Sequence, residues 1–258
     1  MKILHVNNYM NKLRILAMGL LTAICLTTDA QEKKVQNRPY TDLRPMHFGI
    51  NVGLNLQDIE FDNVGPQLIT MEDGTIMEQT IVTDADKWNA GFSVGVTADL
   101  RLSKHLNVRL SPTMHFGAKH LTLLNLNELT PEGLPHEERQ DMKNTYVSFP
   151  LDLKFSAERW NNYRPYIVAG VNQMINLTGK DQDFIMLKKT DTLIEIGLGC
   201  DLYLPFFKLI PELKFCYSLT DALDKSHANE LMDVNKRMYA NSVKSGHTKM
   251  ITLTFYFE

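Results

Sequence analysis

The sequence predicts an eight-stranded antiparallel transmembrane β-barrel of the outer-membrane type. Three observations predict it. Eight segments alternate apolar and polar residues with a period of two, and no Asp, Glu, Lys or Arg stands on any of their apolar faces. The polar faces mix glycines with charges of both signs, which suits a narrow filled lumen better than a wetted sheet surface. The links between segments alternate short and long, as periplasmic turns and external loops do in such barrels. A soluble sandwich would also keep charge off its apolar faces, so the second and third observations decide between the two.

Residues 1–30 read as a secretory signal peptide and are set apart from the fold. Lys2, Lys12 and Arg14 make a basic start, residues 15–26 an apolar run, and Thr28 and Ala30 a small-residue cleavage motif. The run falls short of the roughly 20 residues a membrane helix needs. Residues 31–45 form a periplasmic N-terminal segment, and residues 46–258 the barrel. Beyond residue 30 the chain carries 24 basic and 29 acidic side chains. That balance gives no electrostatic case for a nucleic-acid partner.

The first strand shows the pattern best. Phe48, Ile50, Val52, Leu54 and Leu56 alternate with Gly49, Asn51, Gly53, Asn55 and Gln57. The second sets Phe92, Val94, Val96, Ala98 and Leu100 against Gly91, Ser93, Gly95, Thr97 and Asp99. In the third, Leu106, Val108, Leu110, Met114 and Phe116 oppose Asn107, Arg109, Ser111, Thr113 and His115. The fourth opposes Val147, Phe149, Leu151, Leu153 and Phe155 to Ser148, Asp152 and Lys154. The fifth, residues 166–177, is less regular and carries Gln173 on its apolar face. The sixth sets Ile194, Ile196, Leu198, Cys200 and Leu202 against Glu195, Gly197, Gly199 and Asp201. In the seventh, Leu209, Leu213, Phe215 and Tyr217 oppose Glu212 and Lys214. The eighth opposes Ile251, Leu253, Phe255 and Phe257 to Thr252, Thr254 and Tyr256.

Short links fall at residues 103–105, at 158–164 and near Pro205; long ones span 61–87, 122–145, 179–190 and 220–246. An even strand number then puts both termini in the periplasm. Trp88, Phe92, Phe155, Trp160, Tyr163, Tyr166, Phe206 and Phe207 lie near strand ends, where interfacial girdles form. Pro112 and Pro211 fall inside strands. Each removes a ladder donor where a closed barrel has no spare edge, so bulges or interfacial positions are expected there. Cys200 and Cys216 stand on opposite faces, which argues against a disulfide between them.

Several strings also resemble a known family. They are RPMHFGINVG at residues 44–53, GFSVGVTADLRL at 91–102, FPLDLKFSA at 149–157, NYRPYIVAG at 162–170 and the run from Glu195 to Phe215. These are similar to the strands of PorT proteins, over nearly the whole chain beyond residue 30, with the long loops matching least. The resemblance implies an outer-membrane component of the type IX secretion system of Bacteroidota. That system exports proteins with C-terminal sorting domains, proteases and adhesins among them. It further implies a structural or assembly subunit that is not an enzyme. Partners would be outer-membrane lipid, other secretion subunits and secreted cargo. One departure is Glu258 after Phe257, where barrels commonly end in an aromatic residue.

No catalytic, cofactor-binding or metal-ligating residue is assigned, and no cofactor is expected, because no metalloprotease, nucleophile-elbow, redox or phosphate-loop motif occurs. His115 is expected in the lumen as a packed, hydrogen-bonded residue; the alternative pairs it with an Asp or Glu of a neighbouring strand as a general base. For the chain as a whole the alternative is an outer-membrane enzyme, with His120 and Asp183 as its candidates at the external strand ends, or a small porin-like protein unrelated to secretion. Eight strands leave an interior that side chains just fill, so an open pore is not expected.

Overall fold

The computed structural model describes residues 35–70, 74–85, 88–178 and 184–258, so the expected signal peptide lies outside the described residues. Among them no helix is long and apolar enough to cross a membrane. The chain from Asn37 onward forms one compact unit built on strands. In order these are β1 (Met46–Asn63), β2 (Gly65–Thr70), β3 (Ile76–Ala85), β4 (Asn89–Arg101), β5 (Leu106–Leu110), β6 (Thr113–Leu129), β7 (Pro135–Ser156), β8 (Tyr163–Asn176), β9 (Thr190–Tyr203), β10 (Lys208–Ser218) and β11 (Val243–Phe257). A 3-10 turn (Thr41–Leu43) precedes them. Helices α1 (His227–Glu230) and α2 (Val234–Ala240) lie between β10 and β11.

The strands close into a ring of eight staves: β1, β4, β5 with β6, β7, β8, β9, β10 and β11, each antiparallel to the next. β1 closes on β11 with Ile50 opposite Phe257. The β2–β3 hairpin is an addition to the ring, attached where Ile81–Ala85 pair with β6. Short turns gather at one end of the ring, together with the start of β1 and the end of β11. Asn161 takes a left-handed conformation (φ 52°) in one of them, as asparagine tolerates.

β1 shows how two media shape one strand. Phe48, Ile50, Val52, Leu54 and Leu56 point outward and are exposed, while Asn51, Asn55 and Gln57 point inward and are buried. At residue 58 the polarity changes phase. Ile59 and Phe61 now turn inward and are buried, and Asp58, Glu60 and Asp62 turn outward. On β6 the same change falls after Lys119, where Leu121 and Leu123 become the buried inward residues. The short-turn half thus has an apolar exterior and a polar interior, the arrangement hydrocarbon requires. The long-loop half has an apolar interior and a polar exterior, the arrangement water requires. Its core joins Ile59, Phe61, Ile81, Leu121, Leu123 and Val243 to Ile185, Leu187, Leu223, Met238 and Tyr239 from the loops.

The strands run longer than their alternation predicts. The long link expected over residues 122–145 is mostly strand, because β6 continues to Leu129 and β7 begins at Pro135. The link over 61–87 contains the β2–β3 hairpin, and the link over 220–246 contains α1 and α2. Gln173 does face outward, but near the long-loop end, where it accepts a hydrogen bond from Thr192 Oγ1 (2.8 Å) and donates to the Asp191 carbonyl (3.2 Å).

The expected bulges at Pro112 and Pro211 are absent. The pairing of β4 with β5 and then with β6 keeps one register across Pro112, and that of β10 with β11 keeps one register across Pro211. At Pro112, and at Pro150 on β7, side chains supply the missing donors. The Val96 amide donates to the Pro112 carbonyl (3.0 Å), but proline cannot return the bond, and Asn51 Nδ2 donates to the Val96 carbonyl at 3.2 Å. Pro150, opposite Ser111, leaves a second gap, and Thr113 Oγ1 donates to the Ser111 carbonyl at 2.8 Å. Thr113→Val keeps the shape and removes that donor. It is expected to cost roughly 1–3 kcal/mol, the price of an unsatisfied buried carbonyl, read as a lower urea midpoint for unfolding from lipid vesicles.

Candidate functional site

Alternation delivers every second residue of the short-turn half to the lumen, and the stagger of the strands decides which of them meet. At the centre, Arg109 donates to Glu212 (Nη1–Oε2 2.8 Å) and Asp99 (Nε–Oδ2 3.2 Å). Glu212 also accepts from Tyr166 Oη (2.5 Å) and Tyr256 Oη (2.8 Å), and the guanidinium lies over the Tyr256 ring at 4.6 Å. Lys154 pairs with Asp201 at 2.7 Å. Lys214 bridges Asp152 (3.0 Å) and Glu195 (2.6 Å), and Asn172 Nδ2 donates to Glu195 at 3.0 Å. Arg109, Lys154, Asp152 and Glu212 are all fully buried. The glycines make room for these larger groups. A Cβ on Gly199 would lie 2.4 Å from the Tyr166 ring and hydroxyl that reach Glu212.

Both ends of this lumen are covered. At the short-turn end, residues 37–43 lie across the mouth. Asn37 Nδ2 donates to the Tyr203 carbonyl (2.9 Å), and Arg38 Nη1 to the Glu258 carbonyl (2.9 Å). Arg159 stacks on the Tyr203 ring at 3.6 Å and donates to the carbonyls of Asn37 and Arg38, while Tyr203 Oη donates to Asp42 at 2.7 Å. Beneath this strap Lys208 pairs with Glu258. At the long-loop end the apolar core closes the ring. There Asp221 ties the loop to β11. Burial pushes its carboxyl up, but the Gly246 and Leu223 amides and the Lys225 ammonium outweigh burial and hold it below the usual carboxylate range. Burial also pushes the Tyr239 phenol in that core up to about 12.

His115 lies in the lumen as a packed, hydrogen-bonded residue, as expected, and its partners are two hydroxyls, Ser93 (Nδ1, 3.1 Å) and Ser148 (Nε2, 3.0 Å). All three are buried, and the adjoining cavity of about 20 Å³ has room for one water. His120 pairs with Asp141 at 2.5 Å on the outer wall of the long-loop half, away from the lumen. Asp183 lies outside the described residues. Cys200 faces outward and Cys216 inward, both as free thiols, with Cys216 Sγ donating to Glu195 at 3.6 Å. Tyr166, expected among the interfacial aromatics, turns into the lumen instead, whereas Trp88, Phe92, Phe155, Trp160, Tyr163, Phe206 and Phe207 are exposed. Sequence reasoning identified the lumen charges but missed the strap, whose residues carry no periodic signal.

A family model described as an outer membrane protein beta-barrel domain matches residues 30–224. Among solved structures, Neisserial surface protein A is similar at 10% sequence identity, with 83% of this chain and 98% of that chain covered and a TM-score of 0.38. Ail, the attachment invasion locus protein of Yersinia pestis, solved with the heparin analogue sucrose octasulfate, is similar at 8% identity, with 83% and 99% covered and a TM-score of 0.34. No curated protein matches.

Proposed function

The chain belongs to the outer-membrane β-barrel domain family, and from that premise we propose that it is a non-catalytic structural or assembly subunit of type IX protein secretion. The PorT-like strings along β1, β4, β7, β8 and β9–β10 support the system. The observation that carries the mode of action is the lumen. It is packed with paired charges, strapped at one mouth and filled with apolar side chains at the other. Such a barrel offers no route for cargo, so it works through its surfaces, and the exporting pore belongs to another subunit. A porin-like role finds no support in this interior, and the His120–Asp141 pair lies exposed on the outer wall, apart from the lumen charges.

In this reading the short-turn end and both termini face the periplasm, because outer-membrane barrels keep their short turns there. The strap at residues 37–43 then lies on the periplasmic side, and the long-loop half stands outside the cell. Deleting the gene tests the role. Proteins with sorting domains are expected to accumulate in the periplasm and to reach the medium again on complementation. Normal export from the deletion strain would overturn the secretion reading.

A further inference from the structure

The outward side chains of β6 change character twice. Phe116 stacks on Phe92 (4.8 Å) within the lipid-facing band. Two polar rows follow: His120 opposite Asp141, then Thr122 between Asp84 and Arg139. Beyond them the outward face becomes apolar again. Leu124 lies beside Val82, with Leu126 above it; across β3, beyond Thr80 and Glu78, Pro66 and Leu68 stand on the same face of β2. Leu68 is 76% exposed and Leu126 47%. Leu124 is eight residues beyond Phe116, about 27 Å along the strand, with charge in between, so lipid does not cover this second patch. Water-facing surfaces rarely keep such patches without a partner.

Two further features describe the partner. Glu78, Asp84 and Glu137 border the patch, Glu137 paired with Arg139 at 2.5 Å, and the described residues of β2, β3 and the outer β6–β7 hairpin carry seven acidic side chains against Arg139 and Lys143. Polyanions, including phosphorylated glycolipid heads, are repelled by that rim, and basic side chains are drawn to it. β2 is also the last strand of its sheet, and its outer edge has no strand partner among the described residues. An open edge accepts an extended chain by backbone hydrogen bonding. We propose that this face and edge dock an extended segment of a partner polypeptide in which apolar residues alternate with lysine or arginine. The surface chemistry stands on geometry alone; only the placing of that partner outside the cell rests on the orientation given above.

The test uses the full chain in zwitterionic nanodiscs and a short blocked, fluorescent peptide of alternating leucine and lysine. Binding by anisotropy is expected for this peptide, to weaken with salt, and to fall by about tenfold or more, some 1.4 kcal/mol, in Leu68→Asn and in Glu137→Lys. Lys189→Glu, on the exposed link between β8 and β9, is expected to change nothing. Heat-modifiable gel migration checks that each variant is folded. No binding, equal binding to the variants, or preference for the leucine–glutamate twin or for inorganic polyphosphate would overturn the proposal. Export of sorting-domain cargo is scored separately, so failure of the docking surface and failure of the secretion role are told apart.

Discussion

Glu212→Leu is expected to cost the folded barrel about 3–5 kcal/mol, the largest effect of any single change considered. Glu212 is fully buried and accepts from Arg109, Tyr166 and Tyr256, with Lys214 at 3.6 Å. Removing it strands a guanidinium and two phenols in a space that admits no bulk water, and each stranded group keeps its own desolvation cost. Glu212→Gln retains the shape and two acceptor positions, so it is expected to cost less. Arg109→Met removes the charge that Glu212 answers. The double variant with Glu212→Leu is therefore expected to be milder than the two singles added, with a coupling of roughly 0.5–3 kcal/mol. Tryptophan fluorescence during urea unfolding from vesicles reads all four proteins. Additive costs would show that the lumen charges act independently.

Leu198→Arg tests the exterior. Leu198 is 62% exposed, lies between Ile167 on β8 and Leu213 on β10, and falls midway along the apolar band of β9. Arginine near the bilayer midplane is expected to cost about 2–4 kcal/mol. Thr192→Arg, on the same outward face but beside Gln173 at the polar boundary, is expected to cost at most about 1 kcal/mol, because that cost falls toward the interface. The contrast between the two is the readout. Equal costs in lipid would mean that the apolar faces do not meet hydrocarbon at the depths assigned here.

The staves were legible where one medium acts along a whole segment. Residues 48–56 of β1 alternate because hydrocarbon lies on one side and a polar lumen on the other. The outer halves were not legible, because the inward set changes from polar to apolar between Gln57 and Ile59 while the backbone continues unchanged. A period-two reading sees that inversion as the end of a strand. It therefore assigned much of β6 and β7 to a loop and gave no sign of β2 or β3. The lumen charges could be read from alternation, but their partners could not. Arg109 meets Glu212 across 103 positions of sequence through the stagger of the ring, and no local pattern encodes that stagger. The prolines failed for a different reason. The rule that a lost donor needs a bulge ignores a neighbouring side chain, and Asn51 and Thr113 each supply one.

The change of polarity partway along β1 and β6 has a kinetic meaning. The outer core joins Ile59 near the start of the ring to Val243 near its end, with loop residues from between, so it condenses only once the last stave has arrived. Once formed, it works like the barb of a rivet. Withdrawing the staves toward the short-turn side would pull the acidic outer flanks through hydrocarbon and first require that assembled apolar mass to come apart. Insertion is thereby made one-way by water on the far side, with no covalent lock.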